Sequence, residues 1–325
     1  TTRWIEYFPK AVPEARPEIL KMLGSRGDEK ALELISASLN DPDGAVRTAA
    51  SGALAMLSGK KAVPGLIGYM MKHETDADQE AAKSALKSIA GDGEISGLKD
   101  VLKNGTSAAQ ISAMELMAWN TGHEYFKEIL PLTSSPVEGV KAAAFKALPS
   151  LAGEADQEAL ISLLRAPGNS KYVPDIQQAL SNAANKITDA EKRSARILKA
   201  MDGSIDNKLL IPVLARTGGR EALSAVLKEF ENGNTEMREV CFRALTSWTD
   251  YSASSALYEI CASGNKTYEA PAFEGYVKQI RNAGITDEQK LLLYRKIMPY
   301  ALSAERKNQI LTELGKLKTY QTLFF

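Results

Sequence analysis

Pairs of amphipathic segments recur along the chain at an interval of about 32 residues, and this repeat restricts the fold more than any other feature. Each pair ends on a large apolar residue, usually followed by a polar or glycine-containing turn. These closing residues are Leu23, Leu57, Ile89, Trp119, Leu151, Ile187, Leu214, Trp248, Ile280 and Leu314. Since such a unit holds two helices and buries its apolar face only against its neighbours, the interval predicts a stack of helical hairpins.

The second segment of each pair carries the clearest pattern. Residues 46–57, VRTAASGALAML, place apolar side chains at the i, i+3, i+4 and i+7 positions of one helical face. Residues 140–151 repeat this pattern without a gap. Alanine on the buried stripe lets the helices of a pair approach closely. We expect the larger closing residue to fill the layer between neighbouring pairs.

Turn and helix-start signals lie where a stack of hairpins requires them. Residues 41–44, DPDG, predict the turn inside one pair, because Asp caps a helix while Pro and Gly interrupt the chain. Residues 62–64, AVP, predict the start of a first helix, where proline is tolerated. The sequence shows no convincing strand pattern, so we expect helices throughout.

Residues 41–70 resemble the HEAT-like repeat first described in phycobilisome lyases, whose consensus is Asp-Pro-x-x-x-Val-Arg-x-x-Ala-x-x-Ala-Leu, then a glycine turn and Ala-Val-Pro-x-Leu. Asp41 and Arg47 resemble the Asp/Arg ladder of that family. The match is moderate at residues 135–151 and 234–248 and poor after residue 250. The resemblance implies an all-α, α-α superhelix of the HEAT or armadillo type with about nine to ten antiparallel helix pairs.

The opening stretch, residues 17–28, resembles bacterial secreted or periplasmic proteins in which HEAT arrays adjoin a jelly-roll domain of the 3-keto-disaccharide hydrolase type. This resemblance implies a periplasmic or secreted location in preference to a cytoplasmic one. The chain ends at Phe325 in apolar residues that are typical of a buried helix. We therefore expect residues 1–325 to form a single solenoid that is a fragment of a longer protein.

Composition and charge argue against several classes of function. The 40 Lys and Arg residues balance the 40 Asp and Glu residues, and neither half is strongly basic, which disfavours a nucleic-acid groove. No apolar run suits membrane insertion. The sequence contains no Walker loop, serine-hydrolase elbow, zinc-protease motif or dinucleotide-binding glycine pattern after a strand. We therefore expect no enzyme activity, no cofactor and no metal site.

Candidate contact residues come from the second helices, which usually line the binding face of a HEAT array. Arg47, Lys141 and Arg238 are polar positions between the buried ones. Aromatic residues are concentrated after residue 230, and Tyr268 and Tyr276 are the two that we most expect to be exposed. They would form a stacking platform for sugar rings or a hot spot for a protein partner. The alternatives are a solvated helical face for the charged residues and a core position for the tyrosines.

The two cysteines, Cys241 and Cys261, lie ten residues before and after Tyr251, where we place the turn between two helices. Antiparallel helices would bring them to about the same level. They are either two buried thiols that act as small apolar side chains, or a disulfide that would imply an oxidising compartment.

The leading hypothesis is a non-catalytic, protein-binding or scaffolding solenoid, with its binding surface toward the C-terminal half. One alternative is an accessory module of a larger carbohydrate-active protein, which would reach a carbohydrate through an adjoining domain. A further alternative is a lyase or chromophore chaperone, as the repeat name suggests. A lyase would need a ligand-sized apolar pocket with convergent polar groups.

Overall fold

The structure, a computed structural model, describes residues 1–91, 95, 97–201 and 206–319, without the side chain of His123. The apolar chain end at Phe325 lies outside these residues. The chain divides into two compact units, Thr1–Ala152 and Gly153–Phe325. All regular structure in the described residues is helical, so the prediction of an all-α, HEAT-like solenoid is confirmed.

Within its described residues, the first unit holds ten α-helices that follow one another as five pairs. They are α1 (Thr2–Tyr7), α2 (Arg16–Arg26), α3 (Leu32–Ser38), α4 (Gly44–Ser58), α5 (Val63–Lys72), α6 (Asp76–Ile89), α7 (Leu98–Asn104), α8 (Ser107–Asn120), α9 (Phe126–Ile129) and α10 (Glu138–Leu151). The even-numbered helices, which are the second helices of the pairs, pack side by side in chain order from α2 to α10. They form a continuous second-helix layer, against which α3, α5, α7 and α9 pack.

The second unit repeats this arrangement with ten further helices in its described residues. They are α11 (Gln157–Arg165), α12 (Val173–Asn185), α13 (Ala195–Ala200), α14 (Ile211–Thr217), α15 (Arg220–Asn232), α16 (Thr235–Thr246), α17 (Ser254–Ala262), α18 (Glu269–Asn282), α19 (Asp287–Ile297) and α20 (Ala304–Leu314). Here α12, α14, α16 and α18 pack in order as second helices. The twenty α-helices described in the two units correspond in number to the predicted nine to ten pairs.

Second helices begin at the positions that the turn signals predict. Asp43 caps α4, where its side chain accepts a hydrogen bond from the N–H of Ala45. Equivalent caps precede three other second helices, and they are Thr75, Thr106 and Asn234. Helix α5 begins at Val63 with proline at its second residue, as predicted. These side chains satisfy backbone N–H groups that have no partner inside the helix.

The fourth residue of several second helices is a polar side chain that returns to the preceding helix. Its nitrogen donates a hydrogen bond to a carbonyl group at or just beyond the end of that helix. The donors and acceptors are Arg47 to Asp41 and Pro42, Gln79 to Met70, Gln110 to Leu102, and Arg238 to Glu231. Since the last carbonyl groups of a helix lack partners inside it, these bonds help to fix each hairpin.

The expectation that every closing residue fills a buried layer is wrong for Trp119, whose side chain is 47% exposed. Leu151, which is buried, is the fourteenth residue of α10, whereas Trp119 is the thirteenth residue of α8. One residue rotates a helix by about 100°, which moves the side chain from the buried stripe to solvent. Met56, the thirteenth residue of α4, is 62% exposed for the same reason.

Candidate functional site

A shallow groove of about 610 Å³ lies between α4 and α6 on the exposed face of the second-helix layer. We call it the α4–α6 groove. Most of its lining consists of small side chains from the two helices, among them Ser51, Gly52, Ala55, Ala81, Ser84 and Ala85. A lining of small residues lets the backbone of another segment approach closely, because no long side chain holds it away.

Two large apolar side chains stand on either side of α6. Met56 projects from α4 and lines the groove, and its sulfur accepts a hydrogen bond from the Ser25 hydroxyl at 3.7 Å. Trp119 projects from α8, which packs on the other flank of α6. At the corresponding position α6 carries only Ser88. Packed helices lie about 8–10 Å apart, so α4 and α8 leave room above α6 for a helix about 10–12 Å across.

The rim of this face carries paired charges. Lys83 of α6 lies 2.9 Å from a carboxylate oxygen of Glu80 and also contacts Glu115 of α8. Burial alone would lower the pKa of Lys83, but its hydrogen bonds to both glutamates outweigh burial and raise that pKa. Lys87, which is exposed further along α6, balances the remaining negative charge of these two glutamates and Lys83. Apolar contacts, rather than charge, are therefore the main attraction that this face offers.

Arg47 lies beside the groove, but its guanidinium group is engaged inside the protein. Nε and Nη2 donate to the two carboxylate oxygens of Asp78 at 3.1 and 2.7 Å. Nη1 donates to the carbonyl oxygens of Asp41 and Pro42 at 2.9 and 3.0 Å. All three nitrogens therefore join α4 to its own turn and to α6. A role of Arg47 as a partner contact stays a prediction.

Asp78 is the acidic partner in this link, and the sequence analysis missed it. The carboxylate of Asp41, the residue that the family resemblance suggested, instead accepts a hydrogen bond from the backbone N–H of Asp43 at 2.9 Å. One signal could have identified Asp78. It is the third residue of α6, and the same position is apolar in three other second helices, which carry Val46, Ala109 and Val140.

The environment of Asp78 stabilises its ionised form. The side chain is 1% exposed, and burial by itself raises the pKa of a carboxyl group. Hydrogen bonds from Arg47, from the Tyr69 hydroxyl and from the Thr75 hydroxyl at 2.7 Å outweigh that effect. The result is a pKa lowered to about 2. Asp78 therefore stays charged at neutral pH and binds three side chains, those of Arg47, Tyr69 and Thr75, which come from α4, from α5 and from the residue that caps α6.

Lys141 and Arg238, the other two charged candidates, occupy the same helix position as Arg47. Arg238 is exposed, and its Nη2 donates to the carbonyl oxygen of Glu231 at 3.1 Å. Lys141 is half-buried in α10. Neither residue lines the α4–α6 groove. Their roles as partner contacts stay predictions.

The expectation that Tyr268 and Tyr276 are exposed is wrong, since they are 8% and 1% exposed. The Tyr268 hydroxyl donates to Glu239 at 2.8 Å, and its ring centre lies 4.7 Å from that of Phe242. The Tyr276 hydroxyl donates to the carbonyl oxygen of Leu293 at 3.0 Å. Burial raises the pKa of both tyrosines. The phase of α18 explains this result for Tyr276, which follows Phe273 by three residues and shares its buried face.

Cys241 and Cys261 are both free and buried in the structure. Helix α17, which carries Cys261, packs mainly on α18 rather than on α16, which carries Cys241. Burial raises the pKa of both thiols, and that of Cys241 reaches about 12. The two side chains therefore act as small apolar groups of the core.

Across the described ranges, no three His, Cys, Asp or Glu side chains are grouped so that they could hold a metal ion. None of the helices in the same ranges is long and apolar enough to cross a membrane.

Comparison with known proteins bears on the N-terminal part of the chain. Residues 3–87 match a family model described as HEAT repeats, and this segment contains α1 to nearly the end of α6. No curated protein matches the chain. The match and the all-helical fold support a HEAT-repeat protein. The similarity to phycobilisome lyases and to arrays beside a sugar-hydrolase domain stays a prediction.

Proposed function

We propose that this chain is a protein-binding scaffold and that its α4–α6 groove receives an α-helix of the partner. One observation carries the proposal: Met56 and Trp119 expose large apolar surfaces on both sides of α6, whose own face carries small side chains. Stacked helical repeats commonly bind partners along such extended surfaces. All the residues that line the groove, except Ser88, lie within the segment that matches HEAT repeats.

The energetics favour this face over the aromatic cluster of the second unit. An exposed tryptophan is a frequent anchor in protein interfaces, and removal of such an anchor costs about 2–4 kcal/mol of binding free energy. Tyr268 and Tyr276 have little surface left to bury, because the core already covers them. Met56 and Trp119 are still 62% and 47% exposed, so a partner helix gains apolar burial when it covers them.

The groove is also held in place before a partner arrives. The Arg47–Asp78 pair joins α4 to α6, and the contact of Lys83 with Glu115 joins α6 to α8. A surface that is already ordered loses less conformational entropy when it binds. These cross-links therefore support a binding role for the same three helices that carry the exposed apolar side chains.

The test compares a substitution at a glycine of a second helix, which lines the groove, with a substitution at a glycine of a first helix, which does not. A Cβ atom added at Gly52, in the groove, or at Gly68, on α5, meets no other atom within 4 Å. Both Gly52→Leu and Gly68→Leu are therefore expected to fold, which circular dichroism and thermal unfolding will verify. The two variants and the wild type then serve as bait, and the captured proteins are quantified by mass spectrometry.

We expect the wild type and Gly68→Leu to retain the same partner and Gly52→Leu to lose it, because leucine fills the groove. Trp119→Ala is expected to weaken capture of that partner at least tenfold in a titration, while thermal unfolding stays close to that of the wild type. Equal retention of every captured protein by Gly52→Leu and Gly68→Leu would contradict the proposal.

A further inference from the structure

A second cavity, of about 440 Å³, lies in the second unit between the adjacent second helices α14 and α16. Its lining includes three basic side chains, which are Lys208 just before α14, Arg216 near the end of α14, and Arg243 of α16. None of the described residues that line it is acidic. The cavity shares no residue with the α4–α6 groove, so it is a separate site.

Lys208 is paired with two carboxylates that lie outside the lining. Its Nζ is 3.2 Å from an oxygen of Asp206 and 2.8 Å from an oxygen of Glu236. These contacts hold the lysine at the edge of the cavity and supply its counter-charge. The positive charge that the cavity offers to a ligand therefore comes from Arg216 and Arg243.

Arg216 and Arg243 are both exposed, and neither forms an ion pair with a described residue. The guanidinium group of Arg216 also makes no hydrogen bond within the part of the chain that the structure describes. Arg243 uses one donor within its own helix, since its Nε donates to the carbonyl oxygen of Glu239 at 3.3 Å. Most N–H donors of the two groups are therefore free. Two like charges at one cavity repel each other, and an anion between them removes that repulsion.

We infer that this cavity binds a phosphate monoester, carried either by a phosphorylated polypeptide or by a small organic molecule. Such a group has a charge of about −1.5 to −2 at pH 7, which matches two guanidinium groups, whereas a carboxylate carries a single charge. The forked N–H donors of each arginine match two oxygens of a phosphate. The half-buried side chains of Pro212 and Val240 contact the organic part of the ligand. The volume falls in the range of roughly 300–1,000 Å³ that is typical of small-ligand pockets.

The test compares two ligands of similar shape and different charge. At pH 7.5 phenyl phosphate is mostly a dianion, because the second pKa of a phosphate monoester is about 6, whereas phenyl sulfate is a monoanion. Saturation-transfer difference NMR follows the phenyl protons of each ligand in titrations with the full chain. Arg216→Gln and Arg243→Gln each remove one charge from the cavity. Arg238→Gln is the matched control, since this exposed arginine of α16 also donates to a backbone carbonyl group but does not line the cavity. Thermal unfolding verifies that all three variants fold.

We expect phenyl phosphate to bind saturably and phenyl sulfate to bind at least tenfold more weakly. Arg216→Gln and Arg243→Gln should each weaken binding of phenyl phosphate at least tenfold, and Arg238→Gln should leave it unchanged. A phosphotyrosine tripeptide with blocked ends distinguishes the two sources of the phosphate. Tighter binding of this peptide than of phenyl phosphate identifies a phosphorylated polypeptide, and equal or weaker binding identifies a small organic phosphate. The inference is overturned if phenyl phosphate does not bind saturably, if phenyl sulfate binds as tightly, or if Arg216→Gln or Arg243→Gln binds like the wild type.

Discussion

The guanidinium group of Arg47 in α4 and the carboxylate of Asp78 in α6 face each other through two parallel hydrogen bonds, of 3.1 and 2.7 Å. The two side chains are only 13% and 1% exposed. Charge-assisted bonds in this forked geometry are stronger than bonds between neutral groups and fix the angle between the partners. This pair therefore sets the position of α4 relative to α6, and with it the shape of the α4–α6 groove.

Removal of one partner should destabilise the first unit strongly. We expect Asp78→Ala to lower the free energy of unfolding by about 3–5 kcal/mol, because the half-buried Arg47 loses its counter-charge. Urea unfolding followed by circular dichroism measures the effect. The control is Glu18→Ala, which breaks an exposed 2.7 Å ion pair with Lys21 and should cost less than about 1 kcal/mol. Equal effects of the two substitutions would contradict this role of the Arg47–Asp78 pair.

The same pair predicts a pH dependence of stability. The pKa of Asp78 is lowered in the folded state from 3.8 to about 2, so its contribution is complete above about pH 4 and is lost as the pH falls toward 2. The shift corresponds to about 2 kcal/mol. The stability difference between the wild type and Asp78→Asn should therefore shrink across this range. Urea titrations at several pH values measure it, and a constant difference would refute the assignment.

The sequence predicts those features of this fold that depend on residues close to one another along the chain. The DPDG turn at residues 41–44 and the proline start at residues 62–64 predict helix boundaries because a cap acts within a few residues. The Arg47–Asp78 pair joins residues 31 positions apart in different hairpins. Its geometry depends on how those hairpins stack, which no local pattern specifies.

Helix phase accounts for the wrong expectations about Trp119 and Tyr276. Trp119 precedes by one residue the position that Leu151 occupies, and that single step exposes it. Tyr276 lies on the buried face of α18, although composition alone marks it only as one of a group of aromatic residues. To predict whether an aromatic side chain is exposed, one therefore has to count its position from the first residue of its helix. The groove that we propose as the binding site follows from such a count at Met56 and Trp119.

Two glycines in second helices should respond to alanine in opposite directions. A Cβ atom at Gly24 of α2 would lie 2.7 Å from Cα and 2.9 Å from the carbonyl oxygen of Ala53, so α2 and α4 would have to separate. We expect Gly24→Ala to cost about 1–3 kcal/mol. At Gly52 the space is open, so Gly52→Ala should stabilise by up to about 1 kcal/mol through helix propensity. Thermal unfolding of both variants tests the prediction, and a stabilised Gly24→Ala would show that the two helices are not in close contact.

The two cysteines should be unreactive in the folded protein. Only the thiolate reacts with disulfide reagents, and burial raises the pKa of Cys241 to about 12 and also raises that of Cys261. At pH 8 the native protein should release almost no thionitrobenzoate from Ellman's reagent within minutes, whereas the protein in urea should release two equivalents. Cys241→Ser and Cys261→Ser, each unfolded in urea, should release one equivalent and so calibrate the assay. Rapid release of an equivalent from the native wild type would show that a thiol is accessible, and absence of release in urea without reductant would show that the two sulfurs are joined.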